Sequence, residues 1–297
     1  ITFNGCIFTN KKDWSDYKYD NKGIGIYSNN SFFAVDHKCT GTQTPCNEYT
    51  RSEFSKLQYG IYANAVLGTK SFSVKNSFFY WNDCGIYAGG VGNMEVKYNE
   101  FDVTSTGNKL TGLYMDNCNG YIIEENRFKY YLENTAVFNN RGIVVNNSGE
   151  LDNTIYKNRF RGLGYGIVAQ NQNRGKDGKT GLLIKCNDFK IVRNDVSVLK
   201  DNSVLYNGIA KSQGSDDPED CKKPAGNLFS QLPDNIENNL ESKVQLAGWF
   251  SGYTSTEAPL ALDNSQQTNP TKSDSRFYLI LIGVVLAVVL LVVVRSL

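Results

Sequence analysis

The chain has 297 residues, of which 40% are hydrophobic, 27 are glycine and only six are proline. That is enough apolar material for a core, and the glycine content with frequent asparagine suits a fold of short strands and tight turns. With 31 basic against 30 acidic side chains the formal charge is +1, which offers no general basic field to a phosphate backbone and sets nucleic acid aside as a partner.

The chain opens at Ile1 inside what reads as a repeat strand, so further N-terminal rungs, and any signal peptide, are expected before it. Cys39 and Cys46 then bracket a Gly/Thr/Pro loop. Two readings stand: a disulfide that closes this loop in an oxidising compartment, or two unpaired thiols in a flexible insertion. Cys6, Cys84, Cys118 and Cys186 fall in repeat strands or turns and read as small core residues. None of the cysteines has the paired spacing of a zinc site.

Two short patterns alternate along most of the chain. The first is glycine followed by an aliphatic residue, at Gly25-Ile26, Gly60-Ile61, Gly85-Ile86, Gly112-Leu113, Gly142-Ile143, Gly166-Ile167 and Gly208-Ile209. The second is Asn-x-Phe, from Asn76 to Phe78, Asn99 to Phe101, Asn126 to Phe128, Asn158 to Phe160, Asn187 to Phe189 and Asn227 to Phe229, with weaker copies from Cys6 to Phe8 and Ser52 to Phe54. The runs feeding them alternate with period 2, which excludes a helical solenoid. Irregular spacing between near-constant strands points to a coil whose rungs share strands and differ in turns. The fold expected is all-β: a right-handed, single-stranded parallel β-helix of about eight rungs over residues 1–230.

Aligning on the glycine separates columns by side-chain direction. Ile26, Ile61, Ile86, Leu113, Ile143, Ile167 and Ile209 form an inward aliphatic column. Tyr27, Tyr62, Tyr87 and Tyr114, then Val144 and Val168, form an outward one. The asparagines of Asn-x-Phe read as a ladder at a bend, where rungs ~4.8 Å apart let like side chains bond along the stack and where Asn tolerates left-handed backbone.

These motifs resemble right-handed parallel β-helix repeat proteins of the carbohydrate-binding and sugar-hydrolase type. The stretch from Lys185-Cys186-Asn187-Asp188-Phe189 through Gly208-Ile209 to Pro224-Ala225-Gly226-Asn227-Leu228-Phe229 looks like the closing rungs of exported β-helix proteins of Bacteroidota. The resemblance implies a fold that hosts many activities. Lyases of this fold imply a calcium ion held by aspartates, and hydrolases a cluster of aspartates near a histidine and an Arg/Lys pair.

The residues themselves give no catalytic set. The single histidine, His37, lies in the loop Asp36-His37-Lys38. Asp83 and Asp116 fall in different columns, so they do not converge on one bond. Glu100, Arg127, Arg159 and Asp188, with Ser77 before them, share an outward column where opposite charges stabilise neighbouring strands. Catalytic residues and a resident metal are therefore not assigned, with calcium kept only for a lyase. Tyr27, Tyr62, Tyr87 and Tyr114 are the candidate ligand-binding residues, as a strip against which sugar rings lie face on; the alternative is a structural stack.

Residues 231–253 read as a cap over the end of the coil and 254–276 as a flexible polar linker. From Phe277 to Val294 runs an unbroken stretch of 18 apolar or small residues between Arg276 and Arg295. As a helix it spans ~27 Å, about a bilayer core, and is expected to cross a membrane, followed by a short tail at 295–297. The positive-inside rule says little about orientation here, so the outer or periplasmic side follows from the repeat domain. The functional expectation is a membrane-anchored β-helix at the cell surface or in the periplasm that presents a surface for adhesion or glycan binding, with a polysaccharide or cell-surface glycan as partner. The alternatives are a polysaccharide lyase or glycosidase, and a periplasmic accessory protein for a membrane partner.

Overall fold

The computed structural model describes residues 1–10, 22–66, 68–104, 110–130, 139–199, 207–211, 213–214, 225–230 and 244–246. The linker, membrane span and tail expected over 254–297 lie outside the described residues, as does all of the expected cap except 244–246. Among the described residues no helix is long and apolar enough to cross a membrane.

The described chain is all-β and repeats in turns of three strands. The first turn is β1 (Thr2–Asn4), β2 (Ile7–Thr9) and β3 (Ile24–Asn29). The second is β4 (Phe33–Asp36), a hairpin of β5 (Lys38–Cys39) and β6 (Tyr49–Thr50), then β7 (Ser52–Ser55) and β8 (Tyr59–Asn64). The third is β9 (Phe72–Lys75), β10 (Ser77–Tyr80) and β11 (Cys84–Gly89), and the fourth β12 (Glu95–Lys97), β13 (Glu100–Asp102) and β14 (Thr111–Asp116). The fifth is β15 (Ile122–Glu124), β16 (Arg127–Lys129) and β17 (Arg141–Asn146). The sixth is β18 (Asn153–Tyr156), β19 (Arg159–Arg161) and β20 (Tyr165–Gln170), and the seventh β21 (Leu182–Lys185), β22 (Asp188–Lys190) and β23 (Asn194–Leu199).

Each strand pairs in parallel with its counterpart one turn later, so the three strands of a turn belong to three sheets. The first sheet runs β1-β4-β9-β12-β15-β18-β21, the second β2-β7-β10-β13-β16-β19-β22, and the third β3-β8-β11-β14-β17-β20-β23. Parts of a further turn follow: β24 (Val244–Leu246) extends the third sheet, and Leu228 bridges Asp188 in the second. Three long parallel sheets linked in this order are compatible with a β-helix or solenoid.

The interior is held by two ladders. Phe8, Phe54, Phe79, Phe101, Phe128, Phe160 and Phe189 stack with centroids 4.6–5.1 Å apart and planes within 10° of parallel. Such pairs add ~0.5–1.5 kcal/mol each beyond the area they bury. The repeated glycine is set by this stack. A methyl group on Gly85 would sit 2.8 Å from the Phe101 ring and 2.5 Å from the Gly112 carbonyl oxygen. Close approach, rather than an unusual backbone angle, therefore excludes a side chain there.

The second ladder is polar. The Asn126 side-chain oxygen accepts from the Asn99 backbone N–H and the Asn99 side-chain amide, both at 3.0 Å, while its own amide donates 2.8 Å to the Val96 carbonyl. Asn158, Asn187 and Asn227 repeat the arrangement on the next turns. These buried amides thus satisfy backbone groups that the corner takes out of the sheets, where an unmet group costs ~1–3 kcal/mol.

Several expectations are corrected. The left-handed residue at this corner is the one before the ladder position, namely Gly5, Asn76, Tyr98, Glu125, Lys157, Cys186 and Gly226, with φ from 49° at Asn76 to 69° at Gly226. In the third turn the ladder residue is Ser77, which is buried and whose N–H donates to Asn99, and the interior ring is Phe79 rather than Phe78. The copy thus runs from Ser77 to Phe79. Gly208-Ile209 is also not a seventh glycine unit. β23 continues that column with Asp195 opposite Gly166 and Val196 opposite Ile167, and Gly208 instead bridges Gln172. A side chain is accommodated at Asp195 because the next ring, Phe229, stands 6.0 Å from Phe189 and only partly in the core.

Candidate functional site

The four tyrosines occupy one column on the outside of the third sheet, because β3, β8, β11 and β14 pair Tyr27 with Tyr62, Tyr62 with Tyr87 and Tyr87 with Tyr114. Ile26, Ile61, Ile86 and Leu113 beside them point into the core. Alternation along each strand therefore fixes the rings outside.

Their rings stack on one another, with centroids 5.7, 4.7 and 5.6 Å apart and interplanar angles of 7°, 11° and 17°. The faces of the inner rings are thereby used up within the column. What the strip offers to a ligand is a row of ring edges and phenol hydroxyls, plus the outer face of Tyr27, which is 63% exposed. Face-on contact with several sugars at once, as the sequence suggested, does not fit this geometry. The edges and hydroxyls along the strip, and one face of Tyr27, remain open.

Sequence reasoning missed Tyr59, whose ring stands edge-on to Tyr62 and Tyr87 at 5.0 and 6.1 Å. Its place immediately before Gly60 was the available signal. Burial, followed by the charge of Asp116 and the neighbouring phenols, pushes Tyr87 up to about 12. Tyr59 and Tyr114 are also raised, first by burial. All three therefore stay protonated hydroxyls through neutral pH, able to donate to sugar oxygens.

The column changes character further along. Val144 and Val168 continue the outward register but are 0% and 2% exposed and lie apart from the interior cluster. The ring strip is thus confined to the first four turns of the third sheet.

The carboxylates Asp83 and Asp116 and the single histidine are engaged elsewhere. Asp83 pairs with Lys22 at 2.6 Å. Asp116 accepts from the side-chain amides of Asn117 and Asn146 at 3.0 and 2.8 Å. His37 sits between Asp36, 3.0 Å away, and the Tyr49 ring, whose centroid is 4.2 Å from its own. Among the described residues no group of three or more His, Cys, Asp or Glu side chains is placed to hold a metal ion. Cys39 and Cys46 are joined by a disulfide across the β5–β6 hairpin, with Cα atoms 6.1 Å apart.

The outward column of the second sheet holds Glu53, Phe78, Glu100, Arg127, Arg159 and Asp188. Phe78, not Ser77, occupies the third turn. The shift leaves an aromatic group outside: Phe78 lies 4.8 Å from Tyr80, which meets Trp81 edge-on at 5.6 Å. Comparison of the chain with protein-family models, curated protein sequences and solved structures finds no match in any of the three.

Proposed function

We propose that the protein is a right-handed, single-stranded parallel β-helix that acts outside the cytoplasm, is held at a membrane by 277–294, and presents its outer faces for adhesion or glycan binding without catalysis of its own. The observation that carries this reading is the tyrosine column. Four rings and a fifth beside them form a half-exposed, hydroxyl-rich strip on one sheet, and amphipathic aromatic edges suit sugars, which offer both apolar C–H faces and hydroxyls. The Cys39–Cys46 cross-link suits an oxidising compartment.

The test is a glycan array probed with the wild-type chain, with Tyr27→Ala and with the double variant Tyr62→Ala/Tyr87→Ala. Binding should weaken about tenfold in the double variant, equivalent to ~1.4 kcal/mol. It should weaken less in Tyr27→Ala. Unchanged binding in both would remove the tyrosine column from the function.

A further inference from the structure

The outer face of the second sheet is not neutral along its length. Its outward positions on β16, β19 and β22 are Arg127 and Lys129, Arg159 and Arg161, and Asp188 and Lys190. Three short strands thus carry five basic side chains and one acidic one, in a chain whose formal charge is +1. The buried Phe128, Phe160 and Phe189 between them hold the flanking side chains on the solvent side.

Parallel pairing sets like charges directly against each other. Arg127 is in register with Arg159, and Lys129 with Arg161, which is in turn in register with Lys190, while Glu100 stands opposite Arg127 and Asp188 opposite Arg159 and so bound the arginine pair at either end. Lys129 is engaged by Glu100, and Lys190 lies 3.7 Å from Asp188. Arg127 and Arg159 are both exposed and form no ion pair among the described residues. Like charges in register on adjacent strands oppose pairing. Two neighbouring guanidinium groups in that position fit an anion that bridges them.

We infer that this face is a second binding surface, which takes an acidic polysaccharide laid along the coil axis with its carboxylate or sulfate groups on Arg127 and Arg159. The two guanidinium-bearing positions lie one strand spacing, ~4.8 Å, apart along the axis, about the length of one sugar residue. A DNA strand instead repeats its charge every ~3.4 Å. The strip is two side chains wide, and Lys129 stands 6.0 Å over the Phe78 ring at the aromatic group of Phe78, Tyr80 and Trp81. Across the intervening acidic strand β13, with Glu100 and Asp102, that group offers apolar ring surface, which a sugar chain uses and a bare phosphate chain does not. This surface is on a different sheet from the tyrosine column and takes a ligand of different charge, so the two stand or fall separately.

The experiment measures binding of the full chain to immobilised heparin and polygalacturonate, with neutral dextran, single-stranded DNA and phosphatidylserine vesicles in parallel. The proteins compared are wild type, Arg127→Glu/Arg159→Glu, the milder Arg127→Gln/Arg159→Gln and Tyr62→Ala/Tyr87→Ala. Wild type should bind an acidic polysaccharide in a salt-sensitive way and leave dextran. The glutamate variant should lose binding at least tenfold, the glutamine variant in part, and the tyrosine variant not at all. Circular dichroism keeps folding separate, since both arginines point to solvent. No binding to either acidic polysaccharide, equal binding by the arginine variants, or stronger binding to DNA or vesicles that the arginine variants lose would overturn the inference; vesicle binding through 277–294 is the part that all the variants share.

Discussion

The glycine column shows how one position can be fixed by its neighbours rather than by its own backbone. Gly85 has no room for a methyl group between the Phe101 ring and the Gly112 carbonyl, whereas Gly23 has nothing within 4 Å of the same position. Gly85→Ala should destabilise the protein by ~1–3 kcal/mol through overpacking, and Gly23→Ala by less than ~0.5 kcal/mol. Urea unfolding of the two variants checks this, and equal midpoints would refute the steric reading. Tyr87 gives a pH prediction. Its folded-state pKa is about 12 against an ordinary 10.0, raised first by burial and then by Asp116. A raised pKa contributes stability that is complete below the unfolded value and is lost as pH rises through the folded one. The melting temperature should therefore fall between about pH 10 and about pH 12, and less steeply in Tyr87→Phe; identical slopes would show that Tyr87 is not the group responsible.

Strand register decides which residues of each turn face inward, and one position decides a whole strand. In β10 the structure places Phe79 in the stack and Phe78 outside. Phe79→Ala should cost ~3–5 kcal/mol, while Phe78→Ala should stay within ~1 kcal/mol, and chemical denaturation would expose a reversed order. This strand also shows the limit of legibility. The aliphatic, tyrosine and phenylalanine columns were readable because one residue type recurs at one offset from glycine or asparagine. In the third turn Ser77 stands on the ladder while Asn76 sits one place earlier, at the left-handed corner, so the motif matched one residue out of register. The seventh turn escaped because Asp195 replaces the glycine, which left Gly208 as a false copy. The corner position was hidden because tyrosine, glutamate, lysine and cysteine all occupy it, fixed by chain geometry and not by residue type. The stacking that withdraws the inner tyrosine faces, and the aromatic group at Trp81, depend on ring orientation and register, which composition does not record.

Across the molecule, the ladders matter because each turn finds its partners one turn away, far off in sequence but adjacent in space. Stability accumulates turn by turn, and the outer faces of the three sheets are free to differ. The third sheet carries tyrosines, the second passes from acidic and aromatic through the basic positions of β16 and β19 to the mixed pair Asp188 and Lys190, and both proposed surfaces depend on columns staying in register for several turns. Spin labels at Glu53 and Asp188, in a background with Cys6, Cys186 and Cys221 changed to serine, examine that register. Both positions are outward on the second sheet, five strand spacings apart along β7, β10, β13, β16, β19 and β22. Pulsed electron resonance should give one narrow distance near ~24 Å, five times the ~4.8 Å strand spacing. A broad distribution, or a separation well beyond ~35 Å, more than seven such spacings, would rule out the stacked coil and both surfaces built on it.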